Sequence, residues 1–176
     1  MNITILILGG SGGTGSMGIQ MARHFGAKEI ITTTSAANAD YVTSLGATQV
    51  IDYHTENWYD VLSDYSVDVI YDCVGTSGTA DYAMRKLRQD GYFVTIAGSL
   101  SKNTTRTDVT QSFFINSDTN LVGSSTLLEE IADLGHNKDL GVGKIFAQYP
   151  LSELDRAFNL SRQGHVVGKI SILVVE

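Results

Sequence analysis

The stretch "ILILGGSGGTGSMGIQMA", residues 5–22, decides how this chain folds. Ile5 to Leu8 is apolar at every position rather than at alternate ones, the pattern of a strand covered on both faces, as in a parallel sheet. Five glycines follow within seven residues, and Gly10, Gly12 and Gly15 fit the spacing G-x-G-x-x-G. From Ile19 through Ala22 and Arg23 the apolar spacing becomes helical, so the glycines lie between a strand and a helix. In that context the first glycine lets the chain turn sharply, the second lets a diphosphate approach the backbone, and the third lets helix and strand pack closely. The orphan N–H groups and the dipole of the helix N-terminus then favour an anion. A plain strand-to-helix turn is the bland alternative, but position, length and flanks together favour a dinucleotide site.

Outward from this stretch, apolar runs alternate with amphipathic ones, as in successive βαβ units. Strands are expected at Ile3 to Leu8, Glu29 to Thr34, Gln49 to Asp52, Val67 to Cys73, Tyr92 to Ala97 and Asn120 to Gly123. Helices are expected near Gly15 to Phe25, Ala37 to Leu45, Asn57 to Ser63 and Thr79 to Leu87. Right-handed crossovers wind such strands into an α/β, Rossmann-like, doubly wound parallel sheet with helices on both faces and its ligand crevice at the C-terminal ends of the strands. The polar stretch "SLSKNTTRTDVTQ", residues 99–111, reads as a surface loop.

Composition sets the limits. The 176 residues are 43% hydrophobic and 18% charged, enough for one substantial core. A net charge of -7 and a pI near 4.9 count against nucleic acid or an anionic membrane as partner, since both select basic surfaces. The single cysteine, Cys73, excludes an internal disulfide and a Cys-x-x-Cys zinc site, and no histidine pairs with another ligand at metal spacing, so no metal is expected. No run approaches the roughly 20 apolar residues of a membrane span, and no basic segment precedes the first apolar run; a soluble, cytoplasmic protein is the expectation.

Five segments carry a family resemblance: "ILGGSGGTGSMGIQMARHFGA", "SLGATQVIDY", "VDVIYDCVG", "GYFVTIAG" and "GHVVGKISILVV". Along its whole length the chain resembles the medium-chain dehydrogenase/reductase superfamily, in particular its zinc-independent quinone oxidoreductase branch with the plant alkenal reductases. In that family a full subunit also carries an N-terminal GroES-like barrel with most of the substrate contacts. The resemblance therefore implies a dinucleotide-binding domain over residues 1–150 and, over 151–176, a C-terminal helix and strand that in relatives pack on the barrel, which this sequence lacks.

The end of the second strand bears on which nucleotide is bound. Dinucleotide-binding domains specific for NAD place an acid at the end of the second strand, where it binds the ribose 2′-hydroxyl. Here that strand ends in Thr33, Thr34 and Ser35, whose hydroxyls can donate to a 2′-phosphate with no carboxylate to repel it. NADP, as NADPH, is the expected cofactor, although "TTTSAANADY" holds no Lys or Arg for a charge-assisted clamp. The cofactor-binding set is Gly10, Ser11, Gly12, Gly13, Thr14, Gly15, Thr34, Ser35, Tyr53, Val74, Gly75, Ile96, Ala97, Gly98 and Ser99. Within it the resemblance implies that Ser11, Gly13 and Thr14 touch the diphosphate, Ser35 the 2′-phosphate and Tyr53 the adenosine side. Gly75 and the segment from Ile96 to Ser99 then run along the nicotinamide half.

Two alternative chemistries are weaker. Tyr82 and Lys86 form a Y-x-x-x-K like that of short-chain dehydrogenases, but the position of that family's serine is Val69, and Tyr82 lies among Ala80, Ala83, Met84 and Leu87 at helical spacing, so a packed Tyr82 with a solvated Lys86 is expected. Cys73 ends an apolar strand with no basic neighbour in sequence and reads as a small buried hydrophobe. No residue is assigned a catalytic role.

Near the C-terminus "TLLEEIADL" and "LSELDRAFNLSRQG" read as amphipathic helices, the second with Ser152 as N-cap, and "KISILVV" as an apolar strand. Without a barrel to cover them, these elements suggest a homodimer formed through sheet edges. The function implied is hydride transfer from NADPH to a quinone, activated alkene or enone, weak or absent without the barrel. A non-catalytic NADPH sensor or scaffold is the alternative.

Overall fold

The computed structural model describes residues 2–114, 124–136, 140–141 and 143–174. Its centre is a six-stranded, all-parallel sheet made of β1 (Thr4–Leu8), β2 (Glu29–Thr34), β3 (Gln49–Asp52), β4 (Val67–Asp72), β5 (Leu87–Thr95) and β6 (Thr110–Phe113), in the order β3-β2-β1-β4-β5-β6. The order reverses between β1 and β4, which makes their C-terminal ends the switch point where a doubly wound sheet binds ligands.

The unbroken apolar runs explain why both faces are covered. Leu6, Leu8, Ile31, Ile51, Ile70 and Phe93 point to one side, where they pack with Trp58, Ala80, Ala83 and Met84. These last residues belong to α3 (Trp58–Val61) and α4 (Thr79–Lys86). Their alternates Ile5, Ile7, Ile30, Val50 and Tyr71 face the other side and meet Ile19, Ala22 and Val42 of α1 (Gly15–His24) and α2 (Ala39–Leu45). Successive side chains of a strand point to opposite faces, so a run apolar at every position requires two cores, and two are present. The Rossmann-like α/β fold expected from the sequence is the one observed.

Several boundaries differ from the expectation. The strand expected from Tyr92 begins at Leu87, because the polar stretch after Leu87 is a bulge: the register shifts between Val67↔Leu87 and Val69↔Tyr92, and Asp90 adopts φ 61° there. Ile96 and Ala97 lie beyond its end. The sixth strand is Thr110–Phe113, so the stretch expected as loop from 99 to 111 enters the sheet at Thr110; the strand expected at Asn120 to Gly123 lies outside the described residues.

After β6 come α5 (Ser124–His136), then β7 (Ile145–Pro150), α6 (Leu154–Gln163) and β8 (Lys169–Leu173). β7 was not expected from the sequence; it ends at residue 150 and pairs in parallel with β8 after it, with α6 packed on both. Ser152 is not an N-cap: Leu151–Glu153 forms a 3-10 turn, and Glu153 caps α6 without a side-chain hydrogen bond.

Candidate functional site

The glycine loop joins β1 to α1 at the switch point. Its path is fixed from β2: the Gly9 amide donates to Thr33 Oγ1 at 3.0 Å, and the Gly10 amide to the Thr33 carbonyl at 3.0 Å. The loop then closes on itself, Gly12 N donating to the Gly9 carbonyl at 3.1 Å and Ser16 N to the Gly12 carbonyl at 2.9 Å. Side chains have no room inside this bend. A Cβ on Gly10 would run into Thr32 Oγ1, and one on Gly15 into the Gly9 carbonyl. Among the described residues, the backbone amides of Ser11 and Thr14 have no backbone acceptor, that of Gly13 faces Gly168 across a parallel bridge, and Thr14 caps α1 without a side-chain bond. The first turn of α1 carries no acid, and the buried Ser16 hydroxyl has no hydrogen-bond partner. Unpaired amides at the N-terminus of a ten-residue helix, with the dipole behind them, favour an anion.

The C-terminal segment reaches over this loop. Gly168 N donates to the Ser11 carbonyl at 2.9 Å, and Gly12 and Gly168 form a bridge. The aliphatic arm of Lys169 lies against Gly13, so that a Cβ there would overlap Lys169 Cδ and Cε. The ammonium of Lys169 forms no ion pair among the described residues.

Beside the loop opens a cleft of about 830 Å³ whose walls include Ser11, Gly12, Thr33, Tyr53, Val74 and His165. Tyr53 and His165 face each other across it, hydroxyl to Nδ1 at 3.5 Å. Trp58, Tyr59 and Tyr82 form its aromatic wall, with the rings of Tyr59 and Tyr82 stacked at 3.8 Å. A second, polar hollow of about 340 Å³ adjoins α4 and is lined by Gly75, Thr76, Ser99 and Lys102.

The structure thus brings Ser11, Gly12, Tyr53 and Val74 into one cleft, and Gly75 and Ser99 into the neighbouring hollow. Thr34 is buried and reaches the loop only through its bond to Ser11 Oγ at 2.8 Å, while Ser35 Oγ accepts from Asn38 Nδ2 at 3.0 Å. Ile96, Ala97 and Gly98 form the turn after β5; their amides bond to Asp72 and Thr95, and they line neither space.

Burial pushes the Cys73 thiol up to about 12, reinforced by Asp72 and opposed by the Tyr71 hydroxyl, so Cys73 is a neutral thiol at pH 7 and not a nucleophile. Lys86 is not solvated: it is buried, with Nζ donating to Asp64 Oδ1 at 2.6 Å. With Tyr82 stacked on Tyr59, the Y-x-x-x-K pair belongs to the packing of α3 and α4.

Sequence reasoning missed Lys169, Gly168 and the aromatic wall. Lys169 is more than 150 residues from the loop it covers, and its only local signal was a lysine after a glycine at the start of an apolar strand.

The family model for zinc-binding dehydrogenases matches residues 13–136. The chain belongs to the zinc-binding dehydrogenase family. It sits in the medium-chain dehydrogenase/reductase superfamily, on the zinc-independent, quinone oxidoreductase-like branch. The NADPH-dependent alkenal/one oxidoreductase of Arabidopsis thaliana is 29% identical over 170 residues, which are 96% of this chain and 40% of that protein. The quinone oxidoreductase of Coxiella burnetii superposes with a TM-score of 0.79 at 26% identity, over 98% of this chain and 53% of that one. A mycobacterial protein solved with NADPH shares the fold, with a TM-score of 0.81 at 22% identity over 99% of this chain and 58% of that one. This dehydrogenase-family chain spans less than half of the Arabidopsis relative. Among its described residues no His, Cys, Asp and Glu side chains gather in a group of three that would hold a metal, so those residues do not fit a zinc centre.

Proposed function

We propose that this chain holds NADPH across the β1–β4 crevice and presents it for hydride transfer to a quinone, an activated alkene or an enone. The observation that carries the reading is the glycine loop, whose unpaired amides open at the α1 N-terminus and whose Gly13 lies under the arm of Lys169. Bound NADPH supplies the hydride; the chain supplies binding, orientation and exclusion of water.

In this reading Ser11, Gly13 and Thr14 donate to the diphosphate, and Lys169 adds the charge that the β2 end lacks. Ser35 faces the 2′-phosphate, with Thr33, Thr34 and Ser35 standing where NAD-specific domains place an acid. Tyr53 and His165 flank the adenosine, and Val74, Gly75 and the turn from Ile96 to Ser99 run along the nicotinamide half. The names of the Arabidopsis and Coxiella relatives support the substrate class. The relatives are about twice as long or longer, so the groups that polarise the acceptor and close over it are sought in their additional length.

Calorimetric titration tests the cofactor: NADPH binds at least about tenfold more tightly than NADH, the worth of one charge-assisted contact to the 2′-phosphate. Equal affinities remove the NADP assignment. Oxidation of NADPH with a panel of quinones and enones separates the enzyme from a sensor or scaffold. Measurable turnover supports the first; tight binding with no turnover leaves this chain, taken alone, with a binding role only.

A further inference from the structure

At the C-terminal ends of β4 and β5, two turns approach each other with almost no space between them. A Cβ on Gly75 would fall against the carbonyl of Ala97, and one on Gly98 would lie 3.0 Å from the Gly75 Cα. Beneath this contact sits Asp72, 1% exposed. Its Oδ1 accepts from the amides of Val74 at 3.0 Å and Gly75 at 2.9 Å, which fixes the turn after β4. Its Oδ2 accepts from the hydroxyl of Thr95 at 3.1 Å. Thr95, fully buried, accepts in turn from the amides of Ala97 at 3.3 Å and Gly98 at 2.8 Å, which fixes the turn after β5. One carboxyl and one hydroxyl therefore hold both turns, and every polar atom of the pair has a partner.

The direction of these bonds is what makes the pair demanding. Four backbone amides donate inward, so the pair must supply acceptors and only one proton, that of Thr95. An amide at position 72 would turn two N–H groups toward an oxygen already receiving two, and would leave a buried donor unmatched.

We propose that Asp72 is a positioning residue for the nicotinamide half of the cofactor: with Thr95 it sets the spacing of the turns at Val74–Gly75 and Ala97–Gly98 that the dinucleotide runs along. This rests on the reading of the site given above. It predicts a loss confined to one half of the ligand, because the glycine loop and the β2 end are held by Thr33, Thr34 and Gly168 and not by Asp72.

The test compares NADPH with 2′,5′-ADP, which carries the adenosine and 2′-phosphate end but no nicotinamide, on Asp72→Asn, Thr95→Val and Thr95→Ser. NADPH affinity falls about tenfold in Asp72→Asn and Thr95→Val, the worth of one or two hydrogen bonds, while 2′,5′-ADP affinity is unchanged and Thr95→Ser, which keeps the hydroxyl, behaves as wild type. Should Asp72→Asn fail to fold, Thr95→Val carries the test, since valine preserves the shape of the buried side chain. Equal losses for both ligands, or none for either, overturn the positioning role alone. Failure of the unsubstituted chain to bind 2′,5′-ADP and NADPH overturns the reading of the site, and the proposal with it.

Discussion

Arg106 and Asp108 sit in the stretch that reads as a featureless polar loop, yet they anchor it. Arg106 binds Asp108 through Nε and Nη2, each at 2.6 Å, and donates to the carbonyls of Met84 and Leu87 with its guanidinium 5.1 Å from the Tyr65 ring. The hydrogen bond from Arg106 holds the Asp108 carboxyl below its usual range, against a smaller opposing effect of desolvation. A carboxyl whose folded pKa is lowered contributes stability that is fully present above its unfolded value, about 4, and lost as pH falls through the folded value. Asp108→Asn therefore melts below wild type at pH 7, and thermal melts show the gap closing as pH drops from about 4 downward. Lys86 gives a second residue-scale test. Lys86→Met removes the bond to Asp64 and lowers the melting temperature without changing NADPH affinity; a loss of affinity would revive the short-chain reading of Tyr82 and Lys86. The carbonyls that Arg106 reaches, 18 to 22 residues away, and the Asp64 partner of Lys86, 22 residues away, were not legible in sequence.

The element that sequence disclosed best is the β1–loop–α1 unit, because its signal is local: an apolar run, a glycine spacing and a helical period within 20 residues. Its sterics give graded predictions. Gly15→Ala forces a methyl into the Gly9 carbonyl and loses NADPH binding by at least about tenfold, as expected for a displaced loop. Gly12→Ala, with its nearest neighbour at 3.3 Å, has a milder effect on the same titration. Lys169→Met keeps the arm over Gly13 and removes the charge. It weakens NADPH by about tenfold and flattens the salt dependence of binding. Elements with non-local signals were read less well. The bulge of β5 fell outside the expected strand because "RQDG" is polar, and β6 and β7 are short, exposed strands whose pairing partners alone define them. Ser152 has the chemistry of a cap, but a 3-10 turn takes its place at the start of α6.

At the scale of the molecule, alternating apolar runs and amphipathic stretches were enough for the layered α/β arrangement, since each buried strand demands cover on both faces. The position of the β7–α6–β8 unit was not, because what brings it to the glycine loop is a pair of contacts at Gly168 and Lys169. Phe146, Phe158 and Leu173 of that unit are exposed, and the two-stranded sheet has open edges. A homodimer through this face is expected; sedimentation at rising concentration shows the mass doubling, and a monomer at every concentration contradicts it. The central claim is that the amides of the glycine loop grip a diphosphate. Following backbone amide resonances of labelled chain as NADPH is added tests it most directly: Ser11, Gly13 and Thr14 shift together and saturate with one dissociation constant. Saturable binding that leaves those three amides unmoved would contradict the account.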